Sequence, residues 1–193
     1  MVTRMALQAA GLVRKATLRA KHRKKRQRRP LPGMLPFQDG STDAWLPGTS
    51  EKQDLIVTLD DAIGHITSIF LTEQEGTMSS SMGLAQTIAR HGLFGASHTD
   101  RGSHYFLTPE AGGWVDKKNL TQMGRALAQL GIWYIPSYSP EARGRMERAF
   151  GTLQGWLSQE LRVRGLTSMA AANQYLRDTF MAEFNARFGV PAA

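Results

Sequence analysis

Ala96-Ser97-His98-Thr99-Asp100-Arg101-Gly102-Ser103-His104-Tyr105 carries a short strand into a turn, with a carboxylate where the strand stops. Gly102 opens the turn, and an acid held at a strand end projects into open space instead of a core. A lone Asp in a loop is an ordinary turn former or cap. Two other acids, Asp39 and Glu147, occur in contexts suited to bring them to the same point.

Working back towards the N-terminus, Phe94 to Thr99 reads as the strand that delivers Asp100. Thr77 to Arg90 reads as a helix capped by Thr77, closed by His91-Gly92, with Leu84, Ala85 and Ile88 on one face. His65 to Leu71 and the β-branched run Leu55-Ile56-Val57-Thr58-Leu59 read as strands joined by a turn over Asp60 to Gly64. Leu35, Phe37 and Asp39 alternate with Pro36 and Gln38, as in a strand with a carboxylate at its end, which Gly40-Ser41 then breaks. These three strands form an antiparallel meander.

Working forward, Thr108 to Asn119 is a loop containing Trp114, and Leu120 to Leu130 a helix stopped by Gly131. Ile132 to Ile135 is a fifth strand stopped by Pro136, and Trp133 within it reads as a core residue. Pro140 opens a helix whose buried stripe is Met146, Phe150, Leu153, Leu157 and Leu161. Arg143, Glu147, Gly151 and Gln154 share the neighbouring face, so Glu147 is a carboxylate with no hydrophobic role. Thr167 is placed to cap a last helix reaching about Phe188, packed through Tyr175, Leu176, Phe180 and Phe184. The order of three strands, helix, strand, helix, strand predicts an α/β fold: a five-stranded mixed sheet with helices on its faces.

Charge divides the 193 residues unevenly. Eleven of the 24 Lys and Arg residues fall within 1–33, where no acid occurs, leaving 13 bases against all 16 acids in the remainder. Residues 1–33 therefore read as a basic N-terminal helix and linker, with the helix over 2–20, and 34–193 as the folded core. Arg14, Lys15, Arg19, Lys21, Arg23, Lys24, Lys25, Arg26, Arg28 and Arg29 form a run suited to phosphates, so DNA is the expected partner. The absence of cysteine excludes disulfides and thiolate zinc sites. No apolar run spans a bilayer, no secretory h-region opens the chain, and a cytoplasmic setting without a membrane partner is expected.

Asp39, Asp100 and Glu147 together suit phosphoryl transfer. Two divalent ions, Mg²⁺ or Mn²⁺, about 3.5–4 Å apart activate the attacking oxygen and stabilise the leaving one. This requires the first strand to lie beside the fourth. Arg101, Arg143 and Arg145 adjoin the acids in sequence and are candidate phosphate contacts. His98 and His104, flanking Asp100, lack a visible base–nucleophile pairing and read as structural or surface residues. Ser79-Ser80-Ser81 has no partners for a nucleophilic triad. Trp114, Trp133 and Trp156 are candidates for stacking on bases.

Four segments in order carry a resemblance: Gln38-Asp39-Gly40-Ser41, Leu55 to Asp61, Thr99-Asp100-Arg101-Gly102-Ser103, and Ser139 to Arg148. From about residue 12 onward, the chain resembles the catalytic core of DDE transposases and retroviral-type integrases, nearest the ISNCY type of bacterial insertion-sequence transposases. The resemblance implies an RNase H-like fold, DNA cleavage and strand transfer on transposon ends and target, and action as a homo-oligomer. It implies Asp39, Asp100 and Glu147 as catalytic metal ligands. Asp60 and Asp61 compete for the first position, and Glu141 for the third. The resemblance also implies flanking DNA-recognition segments. The chain is therefore expected to be a truncated copy, and a remnant that only binds DNA or inhibits the full-length transposase is the alternative.

Overall fold

The computed structural model describes residues 10, 26–110, 113–138 and 143–192. The helix expected over 2–20, the basic residues from Arg14 to Lys25, and Pro140 and Glu141 lie outside the described residues.

Five strands make one sheet in the order β3-β2-β1-β4-β5. β1 (Pro36–Asp43), β2 (Gln53–Asp60) and β3 (Ile66–Thr72) form the expected antiparallel meander. β4 (Ala96–Thr99) joins β1 in parallel, and β5 (Trp133–Pro136) joins β4 in parallel. The first and fourth strands are neighbours, as the proposed chemistry requires. β2 is buried along its whole length, which explains its unbroken apolar centre.

β1 does not stop at Asp39. It continues through Gly40, Ser41 and Thr42, because β2 pairs with it from Pro36↔Asp60 to Asp43↔Gln53. A complete ladder outweighs the small strand penalty of one glycine. Asp39 thus lies within β1, where the shorter β4 has already ended.

The two faces of the sheet are covered differently. One packs Leu35, Phe37, Leu55, Val57 and Leu71 against α3 (Gly144–Val163) and the C-terminal helices. The stripe Met146, Phe150, Leu153, Leu157 and Leu161 is buried as expected, each side chain contributing roughly 1.5–3 kcal/mol. The other face carries α1 (Thr77–His91) and α2 (Gln122–Gln129), with a separate core around Leu84, Tyr105, Phe106, Met123, Leu127 and Ile132.

α1 meets the sheet through small and polar groups. Ser80, Gly83 and Thr87 are buried, while Ala85, expected on the packed face, is exposed. Gln38 donates to the Ser80 carbonyl at 3.0 Å, and the Thr87 and Thr67 hydroxyls bond at 3.0 Å. Gly76, not Thr77, is the N-cap, and the Ser79 hydroxyl accepts the Gly76 N–H. Gly92 closes α1 in the left-handed region at φ 81°.

The C-terminal rod consists of α4 (Met169–Tyr175), a π-helical turn over Leu176–Phe180, and α5 (Met181–Phe188). Ser168, not Thr167, caps it, accepting from the Ala171 N–H. Two asparagines bind the rod to the free edge of β3. Asn173 exchanges two hydrogen bonds with the Leu71 backbone, at 2.6 and 2.9 Å, and Asn185 two with Ile66, at 2.7 and 2.8 Å. Twelve helical residues span about 18 Å, and five strand residues about 17 Å, so both amides reach β3 together. The edge is thereby closed to strand addition.

Trp133 is 77% exposed instead of buried. β5 is the outer strand, and alternation sends Ile132 and Tyr134 to the α2 side and Trp133 away from it. Trp156 is half-buried in an aromatic cluster with Phe180, Phe184 and Phe188, engaged in packing. Trp114 is exposed and lies against Tyr138, with ring centroids 4.5 Å apart.

Candidate active site

Strand register brings two of the three expected acids together. Phe37 of β1 is paired with His98 of β4, and their rings meet edge-on at 5.0 Å. Two residues beyond that pair stand Asp39, within β1, and Asp100, just past the end of β4, near enough for its charge to bear on Asp39. β4 ends at Thr99, so both carboxylates lie where the sheet opens between its neighbouring strands.

Asp39 is strongly perturbed. Its carboxyl is pushed up to about 7, chiefly by burial. The Arg143 guanidinium pulls the other way, while the Asp100 and Glu75 charges add to the rise. Arg143 donates through Nη1 to both Asp39 oxygens, at 3.0 and 3.3 Å. Asp100 accepts the Gly102 N–H at 2.9 Å, which fixes the turn read from the sequence.

Glu147 is not part of this pair. It is exposed, in the first turn of α3, one helical turn beyond Arg143. Arg143, at the N-cap, is the α3 residue bonded to Asp39. Among the described residues, no group of three His, Cys, Asp or Glu side chains is arranged to hold a metal ion.

Glu75, unremarked in the sequence, is a further carboxylate whose charge reaches Asp39. It precedes α1 and bears electrostatically on Asp39. Its Oε1 lies 3.5 Å from His104 Nε2 and 3.4 Å from the Tyr105 hydroxyl. The local Glu-Gln-Glu-Gly run resembles any solvated loop, so only the fold reveals it.

The competing acids Asp60 and Asp61 are otherwise engaged. Asp60 accepts the N–H groups of Gly33, Ala62 and Ile63. The Asp61 side chain is fully buried and binds Arg145, Arg26 and the Arg29 N–H. Arg28 donates to the Asp61 carbonyl at 2.8 Å. Four candidate DNA contacts, Arg26, Arg28, Arg29 and Arg145, are thus held at the protein's own Asp61 through side chain or backbone. Arg101 donates to the Gly113 carbonyl at 2.6 Å and covers the Tyr138 ring. His98 is held well below its usual range, at about 4, by burial first and then by Arg26 and Arg143. It is therefore neutral and structural.

The sheet order is that of the RNase H-like fold found in integrase catalytic cores. The chain is 20% identical to a chain of the simian T-cell lymphotropic virus intasome bound to the PP2A regulatory subunit B56 gamma. That match has a TM-score of 0.63 and covers 89% of this chain and 58% of the other. The HTLV-2 integrase catalytic core domain in complex with magnesium matches at 18% identity and a TM-score of 0.56, over 75% of this chain and 83% of that one. No family model matches the sequence. Two bacterial relatives do: y4bF of Sinorhizobium fredii, a candidate transposase, and the transposase for insertion sequence IS1202 of Streptococcus pneumoniae. Both are 31% identical, over 95% and 85% of this chain respectively. Along most of its length the chain is thus similar to these two transposases, and it has the fold of integrase catalytic cores. It spans 40% and 35% of the lengths of those two relatives. Among the described residues, no helix is long and apolar enough to cross a membrane.

Proposed function

We propose that this chain carries the catalytic core of a DNA strand-cleaving and strand-joining transposase, with Asp39 and Asp100 holding divalent cations. The observation that supports the reading is the parallel pairing of β1 with β4 two residues before Asp39 and Asp100, with the Asp100 charge reaching Asp39. The donors fit a hard cation: both are carboxylate oxygens, and Arg143 already supplies a positive charge to both oxygens of Asp39. A bound Mg²⁺ or Mn²⁺ pair supplies an activated oxygen nucleophile and neutralises charge at phosphorus.

The protein's own residues do the rest. To hold a cation, Asp39, whose carboxyl is pushed up to about 7 chiefly by burial, would have to give up any proton it carries and its contact with Arg143. Arg143, once free, is placed to bind a DNA phosphate with its planar fork. Glu147, one turn along the same helix, is the proposed third acid. The basic residues from Arg14 to Lys25 and the Arg29 side chain are proposed to follow the DNA backbone, while Arg26, Arg28, Arg101 and Arg145 are engaged within the protein.

The test is joining of pre-cut end oligonucleotides to a target duplex with Mn²⁺. Asp39→Asn, Asp100→Asn and Glu147→Gln should each abolish joining. Activity that survives Asp100→Asn removes the assignment.

A further inference from the structure

The side chain of Gln38 turns towards α1, and Gly40 shares its face by alternation, opposite to Asp39. A Cβ built on Gly40 would collide with Glu75 Oε2 and fall 2.8 Å from its carboxyl carbon. The Glu75 carboxylate therefore lies directly on the bare α-carbon of Gly40, behind the strand from the Asp39 side chain. From there it faces the segment that follows Asp100. The Tyr105 ring is buried, and its single hydroxyl proton is shared between Glu75 Oε1 at 3.4 Å and Gln38 Oε1 at 3.3 Å. His104 reaches the same Glu75 oxygen. His104 in turn packs with Asp100 about Gly102: a Cβ there would lie 2.8 Å from His104 Cε1 and 3.1 Å from Asp100 Oδ1.

We infer that Glu75 is a positioning residue, which ties the Asp100–Tyr105 turn to the back of β1 at Gly40 and so holds Asp100 beside Asp39. Glu75 lies on the α1 side of the strand and acts as an acceptor for the Tyr105 hydroxyl, with His104 Nε2 a neighbour at 3.5 Å. Gly40 is part of the device, because any side chain there would evict the carboxylate. The importance of this arrangement for DNA joining rests on the function proposed above; the anchoring of the turn does not.

Three variants separate the possibilities. Glu75→Ala removes the acceptor. Glu75→Gln keeps an acceptor oxygen and loses the charge. Gly40→Ala leaves Glu75 intact but displaces it, and alanine suits a strand at least as well as glycine. The first measurement is amide hydrogen exchange, without metal, at Tyr105 and Phe106, whose N–H groups both close on the Gly102 carbonyl at 2.9 Å. Exchange at β2 amides in the same samples reports global folding. Glu75→Ala and Gly40→Ala should speed exchange at Tyr105 and Phe106 by about tenfold while β2 is unchanged. Both should lower Mn²⁺-dependent joining by about 10–100-fold, with Glu75→Gln close to wild type.

Unchanged exchange in both Glu75→Ala and Gly40→Ala would overturn the inference. So would a Glu75→Gln protein as impaired as Glu75→Ala, which would make charge, not placement, the operative property. If Asp100→Asn joins DNA as well as wild type, the proposed function fails, yet the exchange result still decides the role of Glu75.

Discussion

Replacing Asp39 by asparagine should stabilise the metal-free protein above neutral pH. The folded carboxyl sits at about 7, against an ordinary value of 3.8. Between those values the folded chain keeps a proton that the unfolded chain has released. Stability therefore declines as pH rises through this window, and the loss is complete above it. About three pK units at 1.36 kcal/mol each set an upper limit of about 4 kcal/mol. The pull of Arg143 is already contained in that value, and the imperfect likeness of the amide to the protonated acid returns part of the gain. A net stabilisation of about 2 kcal/mol at pH 8 is the expected outcome, or about 4–8 °C in Tm for a chain of this size. The assay is thermal unfolding in EDTA at intervals from pH 4 to 8, for wild type and Asp39→Asn in parallel. His98 titrates in the same range in both proteins, so the difference between them isolates position 39. The two curves should approach each other near pH 4 and diverge upward. A variant less stable than wild type at pH 8 would refute the claim that burial outweighs Arg143 at this carboxylate.

His98 has the opposite sign. Its folded value of about 4 lies below the ordinary 6.5, so the unfolded chain binds more protons between the two. Its contribution is full above about 6.5 and is lost as pH falls towards 4, and in His98→Gln this acid-side loss, followed by thermal unfolding, should disappear. Asp61→Asn should destabilise the chain by about 3–5 kcal/mol in urea unfolding, because Arg145 and Arg26 lose a fully buried counter-charge. Asn185→Ala should cost about 2 kcal/mol and speed amide exchange at Ile66, whose N–H and carbonyl it satisfies at the β3 edge.

The parts of this fold legible in the sequence are those with a strong period or a run. The five-residue stripe of α3 and the β-branched run of β2 each have one plausible burial pattern, and both are buried as read. The adjacency of β1 and β4 followed from the requirement that Asp39 and Asp100 meet. What could not be read depends on partners distant in the chain. Gly40-Ser41 looks like a strand terminus until β2 is seen to pair across it. Trp133 looks like core until the sheet order leaves β5 outermost. Asn173 and Asn185 are ordinary helix-surface residues until β3 lies beneath them. Asp61 is a turn acid by local rule, and its binding of Arg145, 84 residues away, is visible only in three dimensions. Glu75 has the same character: its role comes from the bare α-carbon of Gly40 and the buried ring of Tyr105.

The central claim is that Asp39 and Asp100 share one cation. Crystals of the protein grown with Mn²⁺, measured at the manganese absorption edge, test it most directly. The account predicts an anomalous peak in contact with oxygens of both carboxylates, with Arg143 withdrawn from Asp39. A saturating Mn²⁺ soak with no peak between them, or a peak held by other residues while Arg143 stays in place, would contradict it.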